Sequence, residues 1–476
     1  MENLKIVLFI GLLAGSLVSC EDLDVDPQQS LSTELAFADK QAVEGSLLGV
    51  YSLTQEFEVF GSLPHVISDF QADNVNFIGS FPTLQEISIY TTQADNVTIR
   101  DLWRRHYRAI LAANAVIQFT PDSPDEALTS EERDQYVAEA KFVRSLLMFQ
   151  LVNLFGQPIN IGGDASPGIP IVTEAFTGEI IDYPRSTVGE VHDFILNELN
   201  STIADLPVSY ASSGFTRGRA TKGAANALLS RIHLYRAEWQ LAADKAEAVL
   251  DDETLYQPAG NYNFWGENNS EYVFSIQNSE IDNGQTGSGG WASYYNSAED
   301  GGRGDAPFSA YLIDAYAAND ERFTDLSKEN INTEGVSLLY TTKFPDVVTN
   351  SDNSPIIRTT EVMLNRAEAL AQLNGVNDES LQLINDLRSR AGLDVLNAGD
   401  FSSKEAFVEQ ILEERRKELA FEGHRRMDLL RNDLPLRPEG DPHFDASKPG
   451  QNRTILPVPQ RELDINPSLT QNEGYE

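Results

Sequence analysis

The chain has 476 residues and a single cysteine, Cys20, so no internal disulfide can staple it and its stability must come from buried apolar surface. Positive charge is also scarce: 35 lysines and arginines stand against 73 aspartates and glutamates, a net charge of −38. Such a field repels nucleic-acid backbones and anionic membrane surfaces, and it disfavours strongly anionic ligands unless a local basic patch overrides it. The six histidines are scattered. No His-x-x-x-His or paired-cysteine set offers metal ligands, and no glycine loop built to cradle phosphate precedes a helix, so neither a metal nor a cofactor is expected. Beyond Cys20 no apolar run reaches the length of a membrane-spanning helix.

What is present begins with a targeting signal. The amino terminus and Lys5 precede a mostly apolar stretch from Ile6 to Val18, the outline of a secretory signal that is too short to span a bilayer. The cysteine directly after Leu17-Val18-Ser19 resembles the lipobox of bacterial lipoproteins, in which that cysteine becomes the lipid-bearing first residue. Residues 1–19 are therefore expected to be a lipoprotein signal peptide, with Cys20 as the lipidation site. Several acyl chains make a durable anchor where one is marginal. The next stretch, residues 20–34, carries Glu21, Asp22, Asp24 and Asp26 with little to bury, and it reads as an extended acidic tether.

The body, residues 35–476, reads as mainly α-helical. Leu102, Tyr107, Ile110 and Leu111 recur at helical spacing, as do Val137, Phe142, Leu146, Phe149 and Val152 before Gly156 and Pro158 stop that helix. Ala224, Ala227, Leu228 and Ile232 lead through Trp239 into Ala242, Ala246 and Val249, two short helices with small residues where they meet, as in a tetratricopeptide unit. Helical pairs are expected at about 100–155, 187–250 and 356–422, forming a scaffold of degenerate repeats. Between them, a loop-rich insert at about 251–355 holds a short strand pattern, Tyr272-Val273-Phe274-Ser275-Ile276, and a Gly/Ser-rich run up to Asp305.

Several segments together resemble the SusD/RagB family of surface glycan-binding lipoproteins of Bacteroidetes. The most specific match is the acidic, arginine-rich stretch Ile411 to Phe421, followed by Glu422-Gly423-His424-Arg425-Arg426-Met427-Asp428. Further matches are Arg144-Ser145-Leu146 through Phe155-Gly156-Gln157-Pro158, the Gly168-Ile169-Pro170-Ile171 turn, Asn365-Arg366-Ala367-Glu368-Ala369, and Leu456-Pro457-Val458-Pro459. The resemblance implies tetratricopeptide-like pairs supporting an irregular ligand-facing part. It also implies a non-catalytic protein at the outer membrane that captures oligo- or polysaccharide for a TonB-dependent, SusC-like β-barrel transporter. Three other readings stay open: a family member with a non-carbohydrate nutrient as cargo, a surface glycoside hydrolase, and a helical scaffold that binds only protein.

Glycan capture needs flat apolar faces for the C–H side of a sugar ring, bordered by amides and charged groups for its hydroxyls. Two loops offer that mixture, at places where family members generally make ligand contacts. The first, Ser68 to Phe81, supplies Asp73, Asn74, Asn76 and Phe77. The second supplies Trp291, Tyr294 and Tyr295, with Trp291 expected to face ligand because its Gly/Ser-rich surroundings offer few neighbours to bury it. Trp103, Trp239 and Trp265 read as structural. The arginine-rich stretch reads as a structural helix whose charges pair three or four apart, Glu413 with Arg416 and Glu414 with Lys417, in surface or partly buried ion networks. Arg303-Gly304-Asp305 spells an integrin tripeptide, a match too short to carry a function.

Overall fold

The computed structural model describes residues 33–475 except 267, 285–286 and 333–334. Cys20, the signal peptide and the tether up to Ser32 lie outside the described residues. Thr33–Ala36 forms a helical turn, so the last two residues of the segment expected to be extended are helical.

Helices dominate. Those that frame the molecule are α1 (Lys40–Gln55), α2 (Leu63–Gln71), α3 (Val97–Phe119), α4 (Ser130–Phe155), α5 (Val188–Thr202), α6 (Lys222–Tyr235) and α7 (Trp239–Leu250). After the insert, which contains the short helix α8 (Trp291–Tyr295), come α9 (Thr359–Asn374), α10 (Asp378–Arg390), α11 (Lys404–Glu418) and α12 (Arg425–Leu430). Local chemistry starts them: Thr129 with Glu132 and Thr187 with Glu190 form reciprocal capping boxes at α4 and α5. In the α6/α7 pair the buried Ala224, Ala227, Ala242 and Ala246 let the helices close up, and Ser230 Oγ donates to the carbonyl of Ala242 at 2.9 Å. The helix pairs fall where the apolar spacing puts them, and the fold is the expected tetratricopeptide-like scaffold with a few short strands.

Among the described residues, four strands lie in the insert and at its end, as two two-stranded sheets. Strand β1 (Tyr272–Ile276) pairs antiparallel with β4 (Ser354–Arg358), while β2 (Ser327–Ile331) and β3 (Ser337–Thr341) make a hairpin. Every residue of β1 and β4 is buried, so this small sheet is the root by which the insert is held in the scaffold. One apolar core runs from Phe37 to Val458.

The arginine-rich segment is the buried one of the two arrangements its spacing allows, and its charges lie deeper than partial burial. The pairs at helical spacing do form, Glu413–Arg416 at 3.8 Å and Glu414–Lys417 at 4.0 Å, but the closest partners come from elsewhere in the chain. Glu414 holds Arg322 at 2.7 Å and Arg388 at 2.6 Å, and Glu418 holds Arg390 at 2.7 Å. Glu422 holds both Lys343 and Arg358 at 2.7 Å. Arg358, at the end of β4, is 1% exposed and also meets Glu271 at 2.5 Å, so one buried guanidinium ties β1, β4 and the end of α11 together. Burial alone would push the Glu418 and Glu422 carboxyls up; the surrounding cations outweigh it and hold both below the usual range. A buried network of this kind is costly to break, because losing one member leaves its partner charged and dry.

Candidate functional site

Helix α2 is buried along its whole length and delivers the chain into the loop ending at Phe81. That loop does not stand alone. Val75 bridges Phe308 in antiparallel fashion, Asn76 N–H donates to Pro307 O at 3.0 Å, and Ile78 N–H donates to Asp305 O at 2.8 Å. Phe308 N–H in turn donates to Leu339 O of β3 at 2.9 Å, so both sequence-nominated loops and the β2–β3 hairpin run side by side. Close approach demands Gly79: a Cβ there would lie 2.6 Å from the carboxyl carbon of Asp305.

Between these segments lies a cleft of about 900 Å³, with Ile78, Arg303, Asp305, Asn330, Leu338 and Tyr340 in its walls. A smaller hollow of about 300 Å³ adjoins it, lined by Glu58, Phe81, Asp101 and Tyr294 among others, and Arg303 faces both spaces. Arg303 is held on three sides. Its Nε donates to Asp305 Oδ2 at 2.6 Å, and its guanidinium lies between Tyr294 and Phe81, 4.5 Å and 4.8 Å from the two ring centres. Phe81 is 55% exposed and so presents an accessible aromatic surface on the fixed cation. Asn330 Nδ2 donates to Ser297 Oγ at 2.8 Å and Asp300 Oδ2 at 3.1 Å, pinning the hairpin to the 297–305 loop. Among the described residues no three His, Cys, Asp or Glu side chains gather in a way that could hold a metal ion.

The nominated site residues divide sharply. Trp291 is fully buried: its ring lies 4.7 Å from Phe344 and 4.9 Å from His65, and Nε1–H donates to Ser354 Oγ at 2.9 Å. Its neighbours come from α2, β4 and the segment after β3, which is why its immediate sequence gave no hint of burial. Tyr295 is equally buried and donates its hydroxyl to Asp69 Oδ2 at 2.5 Å. Burial pushes the Asp69 carboxyl up to about 7 against that hydrogen bond. Tyr294 is 4% exposed and serves as the floor under Arg303. Asp73 receives two hydrogen bonds from Arg425, at 2.7 Å and 3.0 Å, and lies 3.2 Å from Arg416; Asn74 Oδ1 accepts from Arg416 Nε at 2.9 Å. Both are therefore struts that fasten the loop to the arginine-rich segment, and neither presents a free face. Phe77 is half-buried, 4.5 Å from Phe70, whereas Asn76 is exposed.

Sequence reasoning overlooked the hairpin wall, Asn330, Leu338 and Tyr340. Its signal was faint: the short apolar run at 338–340 and the glycine at 335 mark a hairpin, but nothing local says what it faces. Arg303-Gly304-Asp305 also gains a meaning, as an intraloop ion pair at the point where two cavities meet. A further concavity of about 270 Å³ lies on the opposite face of α3 from Asp101, around Trp103 and Tyr107. Leu111, Pro170, Val172 and Ile180 dominate its wall, which suits an apolar group better than a polyhydroxyl one.

Two family models match. Residues 328–475 match the model described as SusD family, and residues 22–234 match one described as starch-binding associating with outer membrane; together they span most of the chain. The chain belongs to the SusD family. A SusD-like protein of Formosa agariphila is 26% identical over 100% of both chains. A SusD superfamily protein of Bacteroides thetaiotaomicron of known structure superposes with a TM-score of 0.79 at 27% identity, covering 91% of this chain and 99% of its own. A structure named as a laminarin-binding SusD-like protein shares the fold, with a TM-score of 0.74 at 22% identity over 92% of this chain and 100% of its own. SusD membership fits the architecture described above: helical pairs form the scaffold, and the loops that meet at Arg303 are carried on it.

Proposed function

We propose that this SusD-family protein is a non-catalytic, lipid-anchored surface lipoprotein that captures oligo- or polysaccharide in the Arg303 cleft. It delivers that cargo to a TonB-dependent β-barrel transporter of the SusC type. The observation that carries the reading is the meeting of the two loops at Arg303, which faces both the cleft with its amide and hydroxyl groups and the adjoining hollow, where an accessible ring, Phe81, is stacked on the fixed guanidinium. Such a platform takes the C–H face of a sugar while its border bonds the hydroxyls. The laminarin-binding name of one structural neighbour is in keeping with a carbohydrate cargo. A binder rather than a hydrolase is favoured because, of the two carboxylates in the cleft wall, Asp305 is engaged by Arg303, which leaves Glu299 without the second free carboxyl that glycoside hydrolysis needs. Cys20 as the lipid-bearing residue would keep the protein within reach of its barrel at high effective concentration.

Titration of the soluble domain against a polysaccharide panel tests this reading. At least one glycan should bind, and Phe81→Ala should weaken it roughly tenfold by removing about 1–1.5 kcal/mol of ring contact, with stability changed by less than about 0.5 kcal/mol because the side chain is exposed. Binding of a peptide or nucleoside with no glycan would overturn the cargo, and release of reducing ends would make the protein a hydrolase. Full affinity in the Phe81 variant would move the site elsewhere. Cys20→Ala should leave solution affinity intact and abolish surface attachment.

A further inference from the structure

We propose that the cleft is selective for uncharged glycans and rejects sulfated and uronate-bearing ones. This rests on the glycan reading and narrows it. The sequence left one opening for an anionic cargo, a local basic patch within the acidic chain, and the cleft is where that patch would have to be. It has none among its described residues. The charged side chains lining the cleft are Glu299, Arg303 and Asp305, and the adjoining hollow adds Glu58 and Asp101, so four carboxylates face a single guanidinium.

That guanidinium is already neutralised. Arg303 is 2.6 Å from Asp305, and Nη1 donates to Ser288 O at 3.3 Å while both faces are covered by aromatic rings. Its remaining N–H groups can bond a sugar hydroxyl, but a sulfate would have to compete with Asp305 for the charge. The cations nearest the two spaces are committed as well. Lys328 pairs with Asp300, Arg105 with Glu56 at 3.2 Å, and Arg100 and Arg104 with Asp101 at 3.0 Å and 3.3 Å. Among the described residues the exposed Glu299 has no cation within ion-pair distance and accepts a hydrogen bond from the neutral Asn330 Nδ2 at 3.2 Å, so an anionic ligand meets a carboxylate without a counter-charge at the cleft wall. At about 7 Å in a well-hydrated cleft, each ligand charge of like sign weakens binding roughly threefold, and three per oligomer compound to more than about tenfold.

The experiment uses the soluble domain and a neutral glycan that binds it, compared with the same polymer chemically sulfated. Neutral β-glucan, xylan, mannan and starch serve as the screening set; fucoidan, carrageenan and alginate serve as natural anionic counterparts. The neutral form should bind at least tenfold more tightly at low ionic strength, with an affinity insensitive to salt. The sulfated form should bind more tightly as salt rises to roughly 0.5 M, because screening weakens repulsion. This salt response separates charge from steric blockage of hydroxyls, which salt does not relieve. Glu299→Lys should raise the ratio of sulfated to neutral affinity about fivefold or more at low salt. Equal or tighter binding of an anionic glycan, or a sulfated-ligand affinity that falls with salt, overturns the selectivity while leaving the glycan reading in place. If no glycan of either kind binds, the glycan reading fails and takes the selectivity with it.

Discussion

Trp291→Ala distinguishes a core tryptophan from a ligand-facing one, and the structure puts numbers on the choice. The indole is fully buried between His65, Phe344 and Tyr295, and its N–H donates to Ser354 Oγ at 2.9 Å. Truncating a buried tryptophan to alanine costs about 3–5 kcal/mol through lost transfer energy and the cavity left behind. The missing hydrogen bond adds about 1 kcal/mol. Urea unfolding followed by circular dichroism should therefore show a loss of about 4–6 kcal/mol, and Trp291→Phe should recover part of it by refilling the space. Glycan affinity, measured below the onset of unfolding, should change less than about threefold, since a residue away from the ligand alters binding only through small shifts. An unchanged unfolding curve together with abolished binding would refute the buried placement and restore Trp291 to the ligand surface.

Other consequences follow from the buried charges. Although burial pushes the Asp73 carboxyl up, Arg425 and Arg416 hold it below its usual value, so it stabilises the fold above the ordinary carboxylate pKa and loses that contribution as pH falls through the lowered one. Asp73→Ala strands both guanidiniums and should cost about 3–5 kcal/mol at neutral pH, with the gap from wild type closing in acid; a difference independent of pH would contradict the ion pair. Burial also lowers five histidines, His65 and His192 to about 3, His106 to about 4, His424 well below the ordinary imidazole value, and His233 below it despite its contact with Glu238. The unfolded chain gains protons below pH 6.5 that the folded chain refuses, so their contribution is complete above that pH and is lost as pH falls. Asp69, raised to about 7, works the other way and offsets roughly one of them. Unfolding should become easier by on the order of 3 kcal/mol between pH 6.5 and about 5.5; a flat or rising stability over that interval would show these side chains to be hydrated.

Periodicity and punctuation made the scaffold legible. Helices α3, α4, α6, α7 and α9 sit where apolar spacing, small residues and Gly/Pro stops place them, because those signals act within a turn or two of the chain. The β1 strand was legible for the same reason. The two loops of the candidate site were also legible, as long polar segments with aromatics. Which residues of those loops face outward was not. Asp73 and Asn74 look like ligand contacts until Arg416 and Arg425, more than three hundred residues away, are brought against them. Phe81, which the sequence marks only as the end of the first loop, holds the exposed ring.

The sequence by itself determined the helical class, the positions of its pairs, the family, the acidic field and the expectation of a lipid-bearing Cys20, because each is written in local spacing, composition or contiguous motifs. Only the tertiary structure decided which charges are buried and which aromatics are accessible. It turned the arginine-rich helix into a buried network and the tryptophan loop into core, and it set Arg303 between the cleft walled by the β2–β3 hairpin and the hollow that holds Phe81. The physical reason is that burial and charge compensation depend on neighbours supplied by distant segments, and no window of sequence contains them.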